Sequence, residues 1–250
     1  MNCIHISKNN GIAMITLNRG KVNALNQAYV EQIKKCLEDL ENDPEVQSVI
    51  VTGDGKFFSF GFDIPEFLSY SKESFIRYLI KFSSLYNYMF LFPKPLVAAL
   101  NGHTIAGGCM LAIACDYRIM TSGKARISLN EIAFGSSVFA GSVDILKFCT
   151  GQRNAETILY SGAMYSAEEA KLLGLIDQVA ASENLLDDAI KIARYFAKKD
   201  SAAFRSIKRH IRKPVADESQ KKETDSLYEF ANIWYSENTW KNLKEIKIYS

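Results

Sequence analysis

The chain has 250 residues, 48% apolar and 23% charged with five prolines, a globular composition with length for a substantial core in one large or two modest domains. A net charge of +2 gives no reason to expect nucleic acid as a partner, and no run reaches the roughly 18 apolar residues of a membrane span. The opening MNCIHISKNNG lacks the features of a signal peptide, and the five cysteines show no metal-ligand or disulfide-framework spacing, so a reducing compartment is expected, cytoplasmic or an organelle matrix.

Residues 4–7 and 12–17 run or alternate apolar around Asn9-Asn10-Gly11, which predicts a hairpin. A polar loop over 18–26 leads into a helix over 27–40, where Val30, Ile33, Cys36, Leu37 and Leu40 keep a helical period until Asn42-Asp43-Pro44. Residues 46–51 read as a buried strand leaving through Thr52-Gly53-Asp54-Gly55, followed by the turn Phe57 to Asp63 around Gly61. The segment 64–88 is predicted to be largely helical with Ser71 as a cap. Its aromatic stripe, including Phe67, Phe75, Tyr78 and Phe82, suits either core packing or the wall of an acyl tunnel. Pro93 and Pro95 end it before a strand over 96–100.

The stretch from Asn101 to Asp116, NGHTIAGGCMLAIACD, leaves that strand, turns on glycines and resumes as a small-residue helix. Adjacent Gly107 and Gly108 let backbone N–H groups converge on an oxygen at a helix start; a tight helix crossing explains the same residues without a ligand. A strand over 117–121 comes next. Glu131 then ends an apolar stretch, a setting that raises a carboxylate's pKa and suits a base, although a surface or ion-paired Glu fits the same flanks. Helices are predicted over 140–149, 155–161 and 166–173, a short strand over 175–179, and further helices over 185–198, 200–213 (closed by Pro214) and 219–235. Basic residues gather near Arg205, Lys208, Arg209, Arg212 and Lys213, as a solvated helix face or an anion-binding one.

His5, His103 and His210 have no ligand-like companions, so no metal is expected. No Gly-x-Ser-x-Gly elbow, Gly-x-Gly-x-x-Gly fingerprint or phosphate loop is present. Five motifs, Asn23-Ala24-Leu25-Asn26, Phe58-Ser59-Phe60-Gly61-Phe62-Asp63, Pro95 to Gly102, Ala106-Gly107-Gly108-Cys109 and Cys115-Asp116-Tyr117-Arg118-Ile119, together resemble the crotonase (enoyl-CoA hydratase/isomerase) superfamily over nearly the whole chain. The run Ser128-Leu129-Asn130-Glu131 is most similar to mitochondrial Δ3,Δ2-enoyl-CoA isomerases.

That resemblance implies a mixed α/β fold, a spiral of ββα units with two roughly perpendicular sheets over 1–192 and a helical trimerisation region over 193–250, giving a homotrimer or a dimer of trimers. It implies an acyl-CoA thioester substrate and no separate cofactor, coenzyme A being part of the substrate. Backbone N–H groups of Phe60 and Gly107 are expected to hold the thioester oxygen. Coenzyme A is expected along Lys21, Val22, Ala24 and Leu25 and along Ser59, Phe60, Gly61, Phe62, Asp63 and Ile64, with Lys208 near a phosphate, and Met110, Ile132, Phe134 and Phe139 are expected to line the acyl pocket. Met110 stands where hydratases of the family carry a first Glu, and Glu131 matches the second. One base suffices to lift a proton from C2 and return it at C4, so isomerisation of a 3-enoyl-CoA is the expected reaction. Another crotonase-type activity (weak hydratase, thioesterase, decarboxylase) and a non-catalytic acyl-CoA-binding module remain the alternatives.

Overall fold

The computed structural model describes residues 3–246. The N-terminal hairpin forms as expected: β1 (Ile4–Asn9) pairs antiparallel with β2 (Ile12–Leu17). It turns on Asn10 and Gly11, at φ of 48° and 77°, left-handed values that Asn and Gly tolerate best. Helix α1 (Gln27–Asn42) crosses over to β3 (Ser48–Gly53), which lies parallel to β2. Asn26 caps α1 by accepting from the Tyr29 N–H, and the periodic residues Val30, Ile33, Leu37 and Leu40 form its buried face.

From β3 onward the chain repeats one step. A long strand is followed by a tight corner, a short strand in a second sheet, and a helical segment. The first repeat is β3, β4 (Phe57–Ser59), α2 (Ile64–Phe67) and α3 (Lys72–Leu91); the second is β5 (Leu96–Leu100), β6 (His103–Ile105) and α4 (Gly107–Ala114). The third is β7 (Tyr117–Thr121) and β8 (Ile127–Ser128), followed by a 3-10 turn (Glu131–Phe134), α5 (Ala140–Thr150), α6 (Gln152–Ser161) and α7 (Ala167–Leu172). With β9 (Gln178–Ala180) the large sheet has the order β1-β2-β3-β5-β7-β9, and the small sheet runs β4-β6-β8. Every pairing between the strands named here after the hairpin is parallel. One step repeated with parallel neighbours in both sheets is the expected ββα spiral, as opposed to a single doubly wound sheet.

Successive corners of the spiral stack on one another. Asn101 joins two of them, accepting from the Gly53 N–H at 2.8 Å and donating to the Gly55 carbonyl at 3.0 Å. Gly102 is required there, because a Cβ would lie 2.1 Å from the Lys56 carbonyl oxygen.

Helix α8 (Leu185–Ala197) covers one face of the large sheet, with Leu185, Ala189 and Ala193 against Ile50, Val97 and Ile119. The boundary expected at 192/193 therefore falls inside a helix that belongs to the core. The expectation of separate helices around Pro214 is corrected: α9 (Ser201–Trp234) is one helix of 34 residues with Pro214 inside it, followed by α10 (Glu237–Glu245). An interior proline costs about 3 kcal/mol or more. Here Pro214 lies on the exposed side, while Lys208 and Arg212 before it and Ala216 and Ser219 after it are buried, so packing against α3 and α5 holds both halves in line. Leu227, Phe230 and Trp234 are buried within the chain as well, so they do not supply an apolar subunit face. Among the described residues no helix is long and apolar enough to cross a membrane.

Candidate active site

The loop before α1 and the turn after β4 are laced together. Buried Asn23, at φ 51°, accepts from the Arg19 N–H at 2.8 Å and donates to the Phe57 carbonyl at 3.1 Å. Ser59 Oγ donates to the Asn23 carbonyl at 2.7 Å and accepts from the Gly61 N–H at 3.1 Å. The Leu25 N–H donates to Gly61 O at 2.7 Å, and the Asp63 N–H donates back to Leu25 O at 3.1 Å. Arg19, which sequence reading passed over, closes the lacing by donating to the Ala24 carbonyl and pairing with Asp63, both at 2.7 Å. The two segments expected to hold coenzyme A, from Lys21 to Leu25 and from Ser59 to Ile64, are thus neighbours. Ser59 and Leu25 are fully buried, and Asp63 is spent on Arg19 and on capping α2; these three shape the loops from within.

The same lacing corrects one expected donor. The Phe60 N–H donates to the Val22 carbonyl at 2.9 Å, leaving no hydrogen for a thioester oxygen. Alternation along the backbone turns the Phe62 N–H to the opposite side from the Leu25 partners of Gly61 and Asp63. Among the described residues the N–H groups of Phe62 and Gly107 have no protein acceptor, and both residues line one cavity. Gly107 is the first residue of α4, so its N–H is unused by the helix and sits at the positive end of the dipole. The residue before it, Ala106, adopts φ 49° and ψ −119°, a strained conformation for a non-glycine that sets the orientation of the Ala106–Gly107 peptide.

The glycines in these turns do separate jobs. A Cβ on Gly61, itself at φ 94°, would lie 2.9 Å from Gly107 N, so the two donor-bearing turns touch. A Cβ on Gly108 would lie 2.5 Å from the Ser59 carbonyl oxygen, so Gly108 serves close packing.

The cavity has a volume of about 300 Å³ and is walled by Phe60, Phe62, Ile64, Met110, Phe134 and Trp234, with Glu131 opening into it. Among its described lining residues Glu131 is the sole carboxylate. Glu131 begins the 3-10 turn after β8 and is 5% exposed; burial pushes its carboxyl up to about 8, opposed only by its own backbone N–H. Its Oε2 has no hydrogen-bond partner. A neutral or singly charged acid beside unspent N–H donors in an apolar chamber can exchange a proton with a bound carbon acid while the donors hold the developing oxyanion.

Met110 and Phe134 line this cavity as expected. Ile132 does not: it is 50% exposed and faces a second cavity. Phe139 is fully buried in ring contact with Phe82, Tyr86 and Phe230, behind the cavity wall. Lys208 is corrected too, because its ammonium is buried 2.7 Å from Asp116 Oδ2 and cannot meet a phosphate. Sequence reading missed Phe62 as a donor and Phe230 and Trp234 as cavity walls; the strand alternation that turns the Phe62 N–H inward appears only once Leu25 is seen to pair with it.

The enoyl-CoA hydratase/isomerase family profile matches residues 7–242. A mitochondrial enoyl-CoA hydratase of Pongo abelii is 34% identical over 191 residues, 76% of this chain, which spans 65% of that protein's length. The mitochondrial enoyl-CoA delta isomerase 1 of Rattus norvegicus is 30% identical over 93% of this chain and 81% of its own. The crystal structure of human mitochondrial delta3-delta2-enoyl-CoA isomerase superposes with a TM-score of 0.92 at 28% identity, covering 98% of this chain and 96% of that one. With the profile spanning nearly its whole length, the chain belongs to the enoyl-CoA hydratase/isomerase family.

Proposed function

We propose that the protein shifts the double bond of a 3-enoyl-CoA to give the trans-2-enoyl-CoA. The observation that carries this reading is the single carboxylate among the cavity's described lining residues: Glu131 faces a lining whose other described residues are uncharged, with Met110 on the helix that begins at Gly107. Hydration needs one group to activate water and another to protonate carbon, whereas a 1,3-proton shift needs one group used twice. Glu131 takes the C2 proton, the N–H groups of Phe62 and Gly107 hold the charge that moves onto the thioester oxygen, and the same carboxyl returns the proton at C4. One such donor contributes about 3 kcal/mol in other enzymes. We assign the coenzyme A arm to Lys21 to Leu25, whose backbone pairs with the turn at Phe60 to Asp63, and to that turn, where Phe60 and Phe62 line the cavity. The apolar walls keep water from the dienolate.

The test is spectroscopic. Formation of 2-enoyl-CoA from its 3-enoyl isomer is followed beside hydration of the 2-enoyl-CoA, for the wild type and for Glu131→Gln. Brisk hydration without isomerisation assigns the protein to the hydratase side of its family. Loss of isomerisation in Glu131→Gln with acyl-CoA binding retained supports the single-base reading.

Assembly as a trimer or a pair of trimers belongs to the same proposal. It is supported by Ile207 and Ile211, one turn apart and 59% and 54% exposed on α9, and by Tyr228 at 51%.

A further inference from the structure

Glu131 has a second side. Behind it lies another cavity of about 330 Å³, whose lining includes Ser136, Ser137, Lys147, Gln152 and Glu156, and Glu131 is the one residue common to the described linings of the two. The carboxyl thus forms a partition. Among its described lining residues the front chamber holds no charged side chain besides Glu131, while the back one carries hydroxyls, an amide and both signs of charge and reaches the surface at exposed Gln152 and Tyr160.

Two polar atoms at the partition are unspent. Glu131 Oε2 and Ser136 Oγ are buried without a hydrogen-bond partner, and Ser136 is 6% exposed. Buried polar atoms in native proteins are almost always satisfied, by ordered water where protein offers nothing. The back cavity is many times the roughly 30 Å³ a water molecule occupies in the liquid, and the Ser136 N–H already donates to the Glu131 carbonyl at 2.9 Å, so the two residues are held side by side.

We propose that the back cavity is a water-filled proton route, with Ser136 as the positioning residue that links Glu131 to solvent while the front chamber is filled by acyl-CoA. This rests on Glu131 being the base of the proposed reaction. Each exchange is balanced: the O–H bond of the Glu131 carboxyl breaks as a water in the back cavity takes the proton, and a water held by Ser136 gives one back to the carboxylate, with no change of oxidation state. The route has a use in the resting enzyme, since burial keeps Glu131 largely protonated at neutral pH and a seated acyl chain stops the front exit. The proton then leaves from behind.

The experiment is isomerisation of 3-hexenoyl-CoA in D2O, reading deuterium per turnover at C4 of the product by mass spectrometry. The variants are Ser136→Thr and Ser136→Val, alike in shape and different in the hydroxyl. Wild type and Ser136→Thr are expected to incorporate deuterium, and Ser136→Val at least about fivefold less per turnover. Equal incorporation by all three overturns the proposal, and so does absence of deuterium from the wild-type product. A shift of chain-length preference in Ser136→Val with deuterium unchanged gives the cavity to the acyl chain instead. Should Ser136→Val not fold, Leu159→Phe on the same cavity's wall makes the test by bulk. If the wild type does not isomerise, the proposed reaction fails by itself, and the route is read from deuterium washed into C2 of hexanoyl-CoA, which needs the base and the donors but no double-bond shift.

Discussion

Lys208 Nζ lies 2.7 Å from Asp116 Oδ2, with both side chains at most 10% exposed, and Arg212 takes the other carboxylate oxygen at 3.0 Å. Arg212 also donates to the carbonyls of Ala114 and Phe90 at 2.9 Å, next to the C-terminal ends of α4 and α3. Cations there complement the helix dipoles. The helix whose first N–H faces the cavity is therefore anchored at its other end by α9. The basic residues that sequence left open as an anion-binding face are, at these two positions, an internal clamp.

Removing one partner of a buried ion pair leaves the other charge unpaired and costs about 3–5 kcal/mol. Lys208→Met removes one of the two cations on Asp116 while Arg212 keeps the other oxygen, so stability in urea unfolding is expected to fall by less than that, about 1–3 kcal/mol, with acyl-CoA affinity within about twofold of wild type. A large loss of affinity in a protein that keeps its stability would restore Lys208 to phosphate binding.

The two N–H groups at the turn after β4 are separable by backbone ester substitution, which replaces N–H by O and leaves the side chain in place. At Phe62 the ester is expected to cut kcat by about 10² to 10³ with stability nearly kept, the loss typical of one oxyanion donor. At Phe60 it removes the bond to Val22 and is expected to cost about 1 kcal/mol of stability with kcat nearly kept. The reverse pattern in stopped assays and thermal melts would return the donor role to Phe60.

How far the sequence could be read follows from the range of the forces involved. Strands β5 and β7, the N-terminal hairpin and the cap at Ser71 were legible because each depends on neighbours a few residues away. Glu131 was legible only in part: its flanks fitted a buried base and a surface or ion-paired Glu alike, and the fold buries it. The fate of Phe60 was not legible, because its N–H is claimed by Val22, 38 positions earlier, through the pairing of two loops. Pro214 misled for the same reason, since its local cost is overruled by burial along α9 on both sides of it. Ile132 and Phe139 are apolar neighbours of Glu131 in sequence, yet a 3-10 turn and the start of α5 point them elsewhere.

Met110 offers a test of why one carboxylate is present. Met110→Glu places a second acid on the wall of the same cavity and is expected to lower isomerisation at least about tenfold, since two close carboxyls resist joint ionisation and push the base further up. Slow hydration of 2-enoyl-CoA is expected to appear. Isomerisation at the wild-type rate would show that the two side chains do not sense each other.

Assembly is checked by light scattering of the chain at micromolar concentration. A mass three or six times 28.1 kDa is expected, and Ile207→Glu with Ile211→Glu is expected to lower it, because two charges on that face of α9 oppose its burial. A wild-type monomer would sink the proposal.

The pH dependence joins activity and stability through one group. A base must be ionised, so with the Glu131 carboxyl near 8 in the free enzyme, kcat/KM is expected to rise about tenfold per unit below that pH and to level off above it. Stability runs the other way. The ordinary carboxyl value is 4.5 and burial raises it to about 8, so between those values the folded protein binds a proton that the unfolded chain has released. Stability through Glu131 is therefore complete below about pH 4.5 and falls, by up to about 1.4 kcal/mol per unit, as pH rises toward 8. Glu131→Gln keeps the shape of the acid and cannot ionise. Its melting temperature is expected to match the wild type near pH 5 and to exceed it by a growing margin up to pH 8, with a constant margin beyond, while isomerisation is lost by at least about 10³. Parallel melting curves across that window would mean that Glu131 ionises in the folded protein as readily as in water, and the apolar chamber would then not be what tunes the base.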